Sequence, residues 1–400
     1  MKENHEKYFL LIIPAVIALI ASVLIVSGKK KPNEEKPKPG SGEFIYDSVD
    51  PSMHYSENAV LYTGGVGVLH MIDTATGTNM VYCDRPNCTH DSENCPAVMR
   101  GYGAAVLHNG HLYYVGNLEN RDNLTVQYLY EMNANGENRR KVATINNVQD
   151  VRYVLFRDKY AIAAYRNHCE VDDHGQIVND NKEEASIFVI NLETYAVQMG
   201  DKVPGLLPDV AGIRYDDGAV YYMCSYFDDS DVTEDMINEA MENEFETFYH
   251  DHLLFRLYRY DIATGEKTLL KAFDHMAPPE FVDGEVYYRT SEGSFLFEYK
   301  SGESVKLPVA ANARAFHKDQ GALYYCCTDE KTGKSVYCRL ENGQVTELIR
   351  VSKEESFVIM AMSGGSVYVG FMEGDNYCLG VVSLEDFNRG NYNVRKLMRE

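Results

Sequence analysis

Residues 83–95 read CDRPNCTHDSENC and bring Cys83, Cys88, His90 and Cys95 into one short loop. Three soft thiolates and a neutral imidazole form a Cys3His set that can neutralise and enclose a zinc ion in tetrahedral geometry. The spacing, Cys-x4-Cys-x-His-x4-Cys, departs from the familiar Cys-x2-Cys knuckle, while Pro86 and the surrounding Asn and Asp residues supply turns. With all four ligands drawn from one loop, no coordination position stays open, so such a metal would be structural. The same residues also suit a disulfide with one thiol left over, or a reduced loop with no partner.

Elsewhere the sequence names no chemistry. There is no GxSxG elbow, no HExxH helix, no phosphate-binding glycine loop and no paired-carboxylate signature, so no catalytic residue is assigned. Enzymes that assemble acids from distant segments escape such a search. The other cysteines, at 169, 224, 326, 327, 338 and 378, are scattered and read as small core residues. Cys338 falls opposite Cys326 or Cys327 if a hairpin turns around Lys331-Thr332-Gly333.

What must position the loop is a repeated unit. One pattern, a polar residue and Gly followed by Val or Leu and then Tyr, recurs as NGHLYY at 109, DGAVYY at 217, DGEVYY at 283, QGALYY at 320 and GGSVYV at 364. Worn copies stand at 58 (NAVLYT) and 158 (DKYAIA). Each is a turn opening a strand. A second signal follows in step, an apolar strand ending in a polar tight turn, as in LYRYDIATG to 265 and SFLFEYKSG to 302. The spacing averages about 51 residues, within the range of propeller blades. Seven copies predict an all-β, seven-bladed β-propeller over 44–400, with six or eight blades or a β-sandwich as the competing layouts. The run Phe44-Ile45-Tyr46 is expected to pair into the last blade and fasten the ring.

On these residues the chain resembles the β-propeller superfamily, and more narrowly the membrane-anchored propeller-like proteins of Gram-positive bacteria with a Cys-rich patch near the first blade. The resemblance implies fold far more than activity, because propellers serve binding, scaffolding and several chemistries. Trp is absent from all 400 residues, which removes the Trp-Asp repeat, the sialidase-type Asp box and the quinoprotein docking pattern.

The N-terminus suggests an address. After a short tail, 1–7, residues 8–28 carry no charge and as a helix would span roughly 30 Å, one bilayer crossing. The expected anchor competes with a cleaved signal peptide. Residues 29–43, charged and rich in Pro and Gly, read as a tether. Five lysines after the span against two before it argue for a cytoplasmic domain by the positive-inside rule. The layout of one span, a spacer and one large domain argues for the outside, which is the placement expected here.

Composition narrows the partners. With 38 Lys+Arg against 60 Asp+Glu the net charge is −22, which repels a phosphate backbone unless basic residues gather on one face, and no such gathering is visible, so no nucleic-acid partner is expected. Residues 227–254 add an acidic amphipathic helix to the fourth unit, with Asp231 as N-cap and Met236, Ile237, Ala240, Met241, Phe245 and Phe248 near helical period. That stripe either packs on its own blade or serves as a docking lid. The reading is a non-enzymatic binding or scaffold module for a protein, peptide or glycan, with a monomeric ectodomain touching the membrane through its N-terminal helix alone. The alternative is a carbohydrate-active hydrolase or lyase with a site in the central channel.

Overall fold

The computed structural model describes residues 45–46 and 53–399, apart from 57, 64–66, 93, 100–102, 118–125, 172–176, 180–182, 244, 274–277, 283, 353–356 and 375. The apolar run 8–28, its flanking tail and tether, and Phe44 lie outside the described residues. Among the described residues no helix is long and apolar enough to cross a membrane.

Seven antiparallel sheets follow one another along the chain, over 53–81, 103–146, 150–199, 206–273, 280–306, 314–351 and 358–399, and are called blades 1 to 7. In each, four strands lie side by side in sequence order, with Ile45–Tyr46 as a fifth in blade 1, so every blade is a meander. The first strands of successive blades touch around an axis, which makes the ring a seven-bladed propeller. The repeated Gly motifs do the expected work: Asn109 and Gly110 (φ 48° and 78°), like Asp217 and Gly218 (φ 45° and 75°), take the two left-handed conformations that a tight hairpin turn needs. The second signal is equally local. Asp73 Oδ1 accepts from Thr76 N at 2.6 Å and Asp261 Oδ1 from Thr264 N at 3.0 Å, so a side chain mimics the turn backbone.

No blade can bury two faces alone, so the cores lie between blades. One cluster joins Leu61, Met71 and Tyr82 of the first blade to Leu112, Tyr114 and Leu129 of the second. Another joins Ala322, Tyr324 and Ile349 to Val367, Val369 and Val382. Tyr55, Tyr114, Tyr222, Tyr324, Tyr325 and Tyr368 are among the largest fully buried side chains, which accounts for much of the tyrosine excess.

Ring closure differs from expectation. Ile45 and Tyr46 pair with Tyr55 and His54 inside blade 1, not with blade 7, and lie close to the first strands of blades 3 and 7, hence near the axis. Blade 7 is completed by its own strand Arg395–Arg399. Among the described residues no strand is shared between the first and last blades, and the contacts between them are made by side chains reaching side chains or backbone carbonyls. The Tyr55 and Tyr368 rings pack at a tilt with centroids 4.7 Å apart, and Tyr368 donates to the Ser56 carbonyl at 2.6 Å. The Arg395 guanidinium also donates to the Ala75 carbonyl.

Two helices, α1 (Glu234–Asn243) and α2 (Phe245–His252), fill the connection between the second and third strands of blade 4. The cap is Thr233, whose Oγ1 accepts from Met236 N at 3.3 Å, and not Asp231. Asp231 instead belongs to the preceding turn, where its N–H donates to the Asp228 carbonyl. Val232 and Ile237 sink into a cluster with Met223, Phe227 and Phe273, and the Phe248 ring packs at a tilt against Phe227, whereas Met236 is exposed. The apolar stripe thus packs largely on its own blade. Across the hairpin of blade 6, Cys338 faces Tyr325 and Cys327 faces Val336, so neither Cys326 nor Cys327 stands opposite Cys338. All nine cysteines are free thiols.

The meander also sorts the connections by face. The turns between first and second strands, at 109–110, 158–159, 217–218, 320–321 and 364–365, are two residues long and share one face of the ring. Connections between second and third strands share the opposite face, and in blades 2, 3 and 4 they are long: 117–125, 168–183 and 228–252. The middle one carries a two-stranded hairpin, Glu170–Val171 with Ile177–Asn179.

Candidate functional site

The four predicted ligands converge. One donor atom from each of Cys83, Cys88, His90 and Cys95 lies within 4.8 Å of every other, and His90 Nδ1 is 3.3 Å from Cys95 Sγ. Zn–S bonds of about 2.3 Å place tetrahedral sulfurs roughly 3.8 Å apart, so the donors stand within a short contraction of a metal shell. The cluster can hold a metal ion, and four protein donors leave no open position.

The backbone of Leu69 explains the convergence. Its carbonyl accepts from Tyr82 N at 2.9 Å, and its N–H donates to the Ala97 carbonyl at 2.7 Å. Both ends of the loop are thereby pinned to one residue, which draws Cys83 and Cys95 together. Left-handed backbone at Asn87 (φ 58°) and His90 (φ 55°) turns the middle of the loop back over them. Cys83 and Cys95 are buried against the core between blades 1 and 2, while Cys88 and His90 form the half-buried outer side. Burial raises the Cys95 thiol to about 11, and the His90 backbone N–H hydrogen-bonded to Cys88 lowers the Cys88 thiol.

Sequence reasoning missed what supports the loop from blade 2. Arg139 Nη2 donates to the carbonyls of Cys95, Pro96 and Val98 at 3.2, 3.1 and 3.0 Å. Tyr82 donates its hydroxyl to the Ala134 carbonyl, and Arg85 Nε lies 3.7 Å from Glu137 Oε1. The loop is thus clasped to the hairpin 133–140. Nothing near Arg139 in the sequence signals this, because its partners lie 41 to 44 residues away. Arg139→Ala should loosen Cys95 and weaken metal retention at least about tenfold against a competing chelator, as loss of an outer-shell partner typically does. Retention equal to wild type would remove Arg139 from the site.

Where inner strands begin, on the face with the long connections, Arg152 joins blades 3 and 4: its Nε donates to Asp150 Oδ2 at 2.9 Å and its Nη1 to Asp209 Oδ1 at 3.2 Å. Tyr249 of α2 lies close enough to feel the charges of Asp209 and Arg166, although burial is the larger reason its hydroxyl pKa is raised. Between blades 5 and 6, Glu280 spends both carboxylate oxygens on the backbone N–H groups of Ala315 and Phe316, at 2.9 and 2.8 Å. His317, partly exposed to the channel, is nonetheless desolvated by the strands around it, which lowers its pKa to about 4 despite a hydrogen bond to the Ile359 backbone.

No family model matches the chain, and no curated protein matches it by sequence. Solved structures do. The tricorn protease aligns over 90% of this chain with a TM-score of 0.52 at 11% identity. The likeness is one of fold. This chain covers only 35% of the tricorn chain, so that protein's activity does not transfer. Two further neighbours are the β-propeller domain of the Trilobed protease from Pyrococcus furiosus and an acylaminoacyl peptidase from Pyrococcus horikoshii. The first shows 10% identity over 89% of this chain and 98% of its own, the second 12% over 88% and 54%, each with a TM-score of 0.48.

Proposed function

We propose that the protein is a membrane-anchored, extracytoplasmic recognition or scaffold module, and that its long-loop face engages a protein, peptide or glycan partner. The observation that carries this is the concentration of three long connections, one with two helices, on one face of three consecutive blades, opposite a face of two-residue turns. Binding residues gather on loops held by a rigid scaffold. In this reading the Cys3His cluster holds a structural zinc that locks blade 1 to blade 2, the apolar run 8–28 anchors the chain, and the ectodomain works as a monomer. Photo-crosslinkers placed at Asp229 and Thr247 on intact cells should give adducts, whereas the same groups at Asn109 and Gln320 should not. Equal labelling of both faces overturns the assignment, and a domain protected from external protease overturns its placement outside.

One observation favours the enzymatic alternative, the two carboxylates Asp150 and Asp209 held by one guanidinium at the channel mouth. A hydrolase or lyase would use that pair on a glycan. Loss of glycan cleavage in Asp209→Asn, with the fold intact, would establish it. Against it stands the arrangement itself, because Arg152 ties both acids into an inter-blade ion pair.

A further inference from the structure

Two cysteines of blade 6 meet on one face of its sheet. Between the second strand, Ala322–Thr328, and the third, Ser335–Glu341, Tyr325 stands opposite Cys338 and Cys327 opposite Val336. Residues two apart on a strand share a face, so Cys327 and Cys338 are diagonal neighbours. Their face packs against blade 5, in a cluster with Tyr287, Phe316, Leu323 and Val336, where Cys338 is buried and Cys327 half-buried at the margin. The two thiols stand close enough to hydrogen-bond to each other. Cys326 points to the other face, into the seam with blade 7.

A diagonal pair spans about 7–8 Å between Cα atoms, just beyond the ~4.4–6.8 Å usual for a disulfide. Closing it needs a small backbone shift, and the third strand has the slack for one. Its register to the fourth strand slips between Tyr337 and Cys338, a bulge at the cysteine itself. A link closed under such strain, with one sulfur at the margin of the core, belongs to the readily reduced class of disulfides. Access is also unequal. Solvent reaches Cys327 while Cys338 lies behind it, which is the arrangement of an attacking and a resolving thiol. Burial raises both thiols, Cys338 to about 12, so thiolate is scarce at neutral pH and exchange should take on the order of hours.

We propose that Cys327 and Cys338 are a reversible dithiol that a low-molecular-weight disulfide converts into an intra-blade link. The Cys327 thiolate attacks one sulfur of the small disulfide, a mixed disulfide forms and one small thiol leaves. The Cys338 thiolate then attacks the Cys327 sulfur and the second small thiol leaves. Two electrons and the two thiol protons thus pass from the protein to the departing small thiols. The pair uses neither the Cys3His loop nor the long-loop face, so it stands or falls apart from both readings. Incubation of the full-length protein in neutral detergent with oxidised glutathione, then blocking of free thiols, trypsin cleavage and mass spectrometry, tests it. Residues 319–331 and 335–339 should appear as one disulfide-linked pair, and excess reduced glutathione should separate them. The link should persist in Cys326→Ser and be lost in Cys327→Ser. A link from Cys326, a glutathione adduct on Cys327 that never resolves, both thiols still free after prolonged incubation, or a link that excess reduced glutathione leaves intact overturns the proposal. Fragmentation of the wild-type pair distinguishes Cys326 from Cys327, so the outcome holds even where a variant fails to fold.

Discussion

Cys95→Ala should purify without the one equivalent of zinc expected in the wild-type protein, and should lose about 3–5 kcal/mol of stability in the first two blades. The magnitude follows from two competing facts. Metal binding to a structural site is folding free energy, and about 10–16 kcal/mol is available where the apo form is wholly unfolded. Here the Leu69 backbone pins both loop ends without help from a metal, so only the middle of the loop and its clasp would depend on a bound ion. The loss should therefore be local before it is global, as propeller units melt semi-independently. Hydrogen exchange should rise first in residues 82–99 and 133–140, the hairpin held by Arg139 and Tyr82. Elemental analysis of the wild type decides the matter. A well-folded sample with no zinc, or with two of the three thiols resistant to alkylation until reduced, would replace the metal with a disulfide.

The second large effect belongs to ring closure. Tyr368→Ala should cost about 3–5 kcal/mol, the usual range for truncating a buried aromatic, and Tyr368→Phe only about 1 kcal/mol for the lost bond to the Ser56 carbonyl. Tyr55 and Tyr368 are both completely buried, in a cluster that joins Met53, Val60 and Ile72 of blade 1 to Met360 and Leu379 of blade 7. Because no strand among the described residues is shared between these blades, that packing is a main tie between the first blade and the last. Urea unfolding followed at a probe on each side would read it. If the Ala variant lies within about 1 kcal/mol of wild type, the joint is held elsewhere, for instance by Arg395 and Ala75.

Both effects depend on contacts that sequence patterns do not register. Tyr368 and Ser56 are 312 residues apart, and Arg395 and Ala75 are 320 apart. A short strand-like run at the N-terminus promised closure through a shared strand, since Ile45 and Tyr46 have strand-forming side chains. Pairing register sent them to blade 1 instead. Periodicity likewise suggested one long helix with Ile237 on its apolar face, where the structure has two helices with Ile237 buried, and the cap was expected at Asp231. The preceding Asp228 turn takes up Asp231, and Thr233 becomes the first side chain free to cap. In blade 6 the spacing suggested a cysteine pair, and a difference of one residue in register put Tyr325 opposite Cys338.

What the amino-acid sequence determined alone is the repeating architecture and the identity of the metal-binding candidates. Gly-containing two-residue turns, Asp- and Asn-capped turns and alternating strands are short-range devices, so seven copies of them are readable one at a time. Three cysteines and a histidine in one loop are close in space almost by necessity. The tertiary structure decided the rest: the closure of the ring by Tyr55 and Tyr368, and the support of the loop by Arg139. The physical reason is common to both. Each joins residues on different blades, and which side chains meet across a blade boundary is set by strand register, bulges and twist summed over the ring.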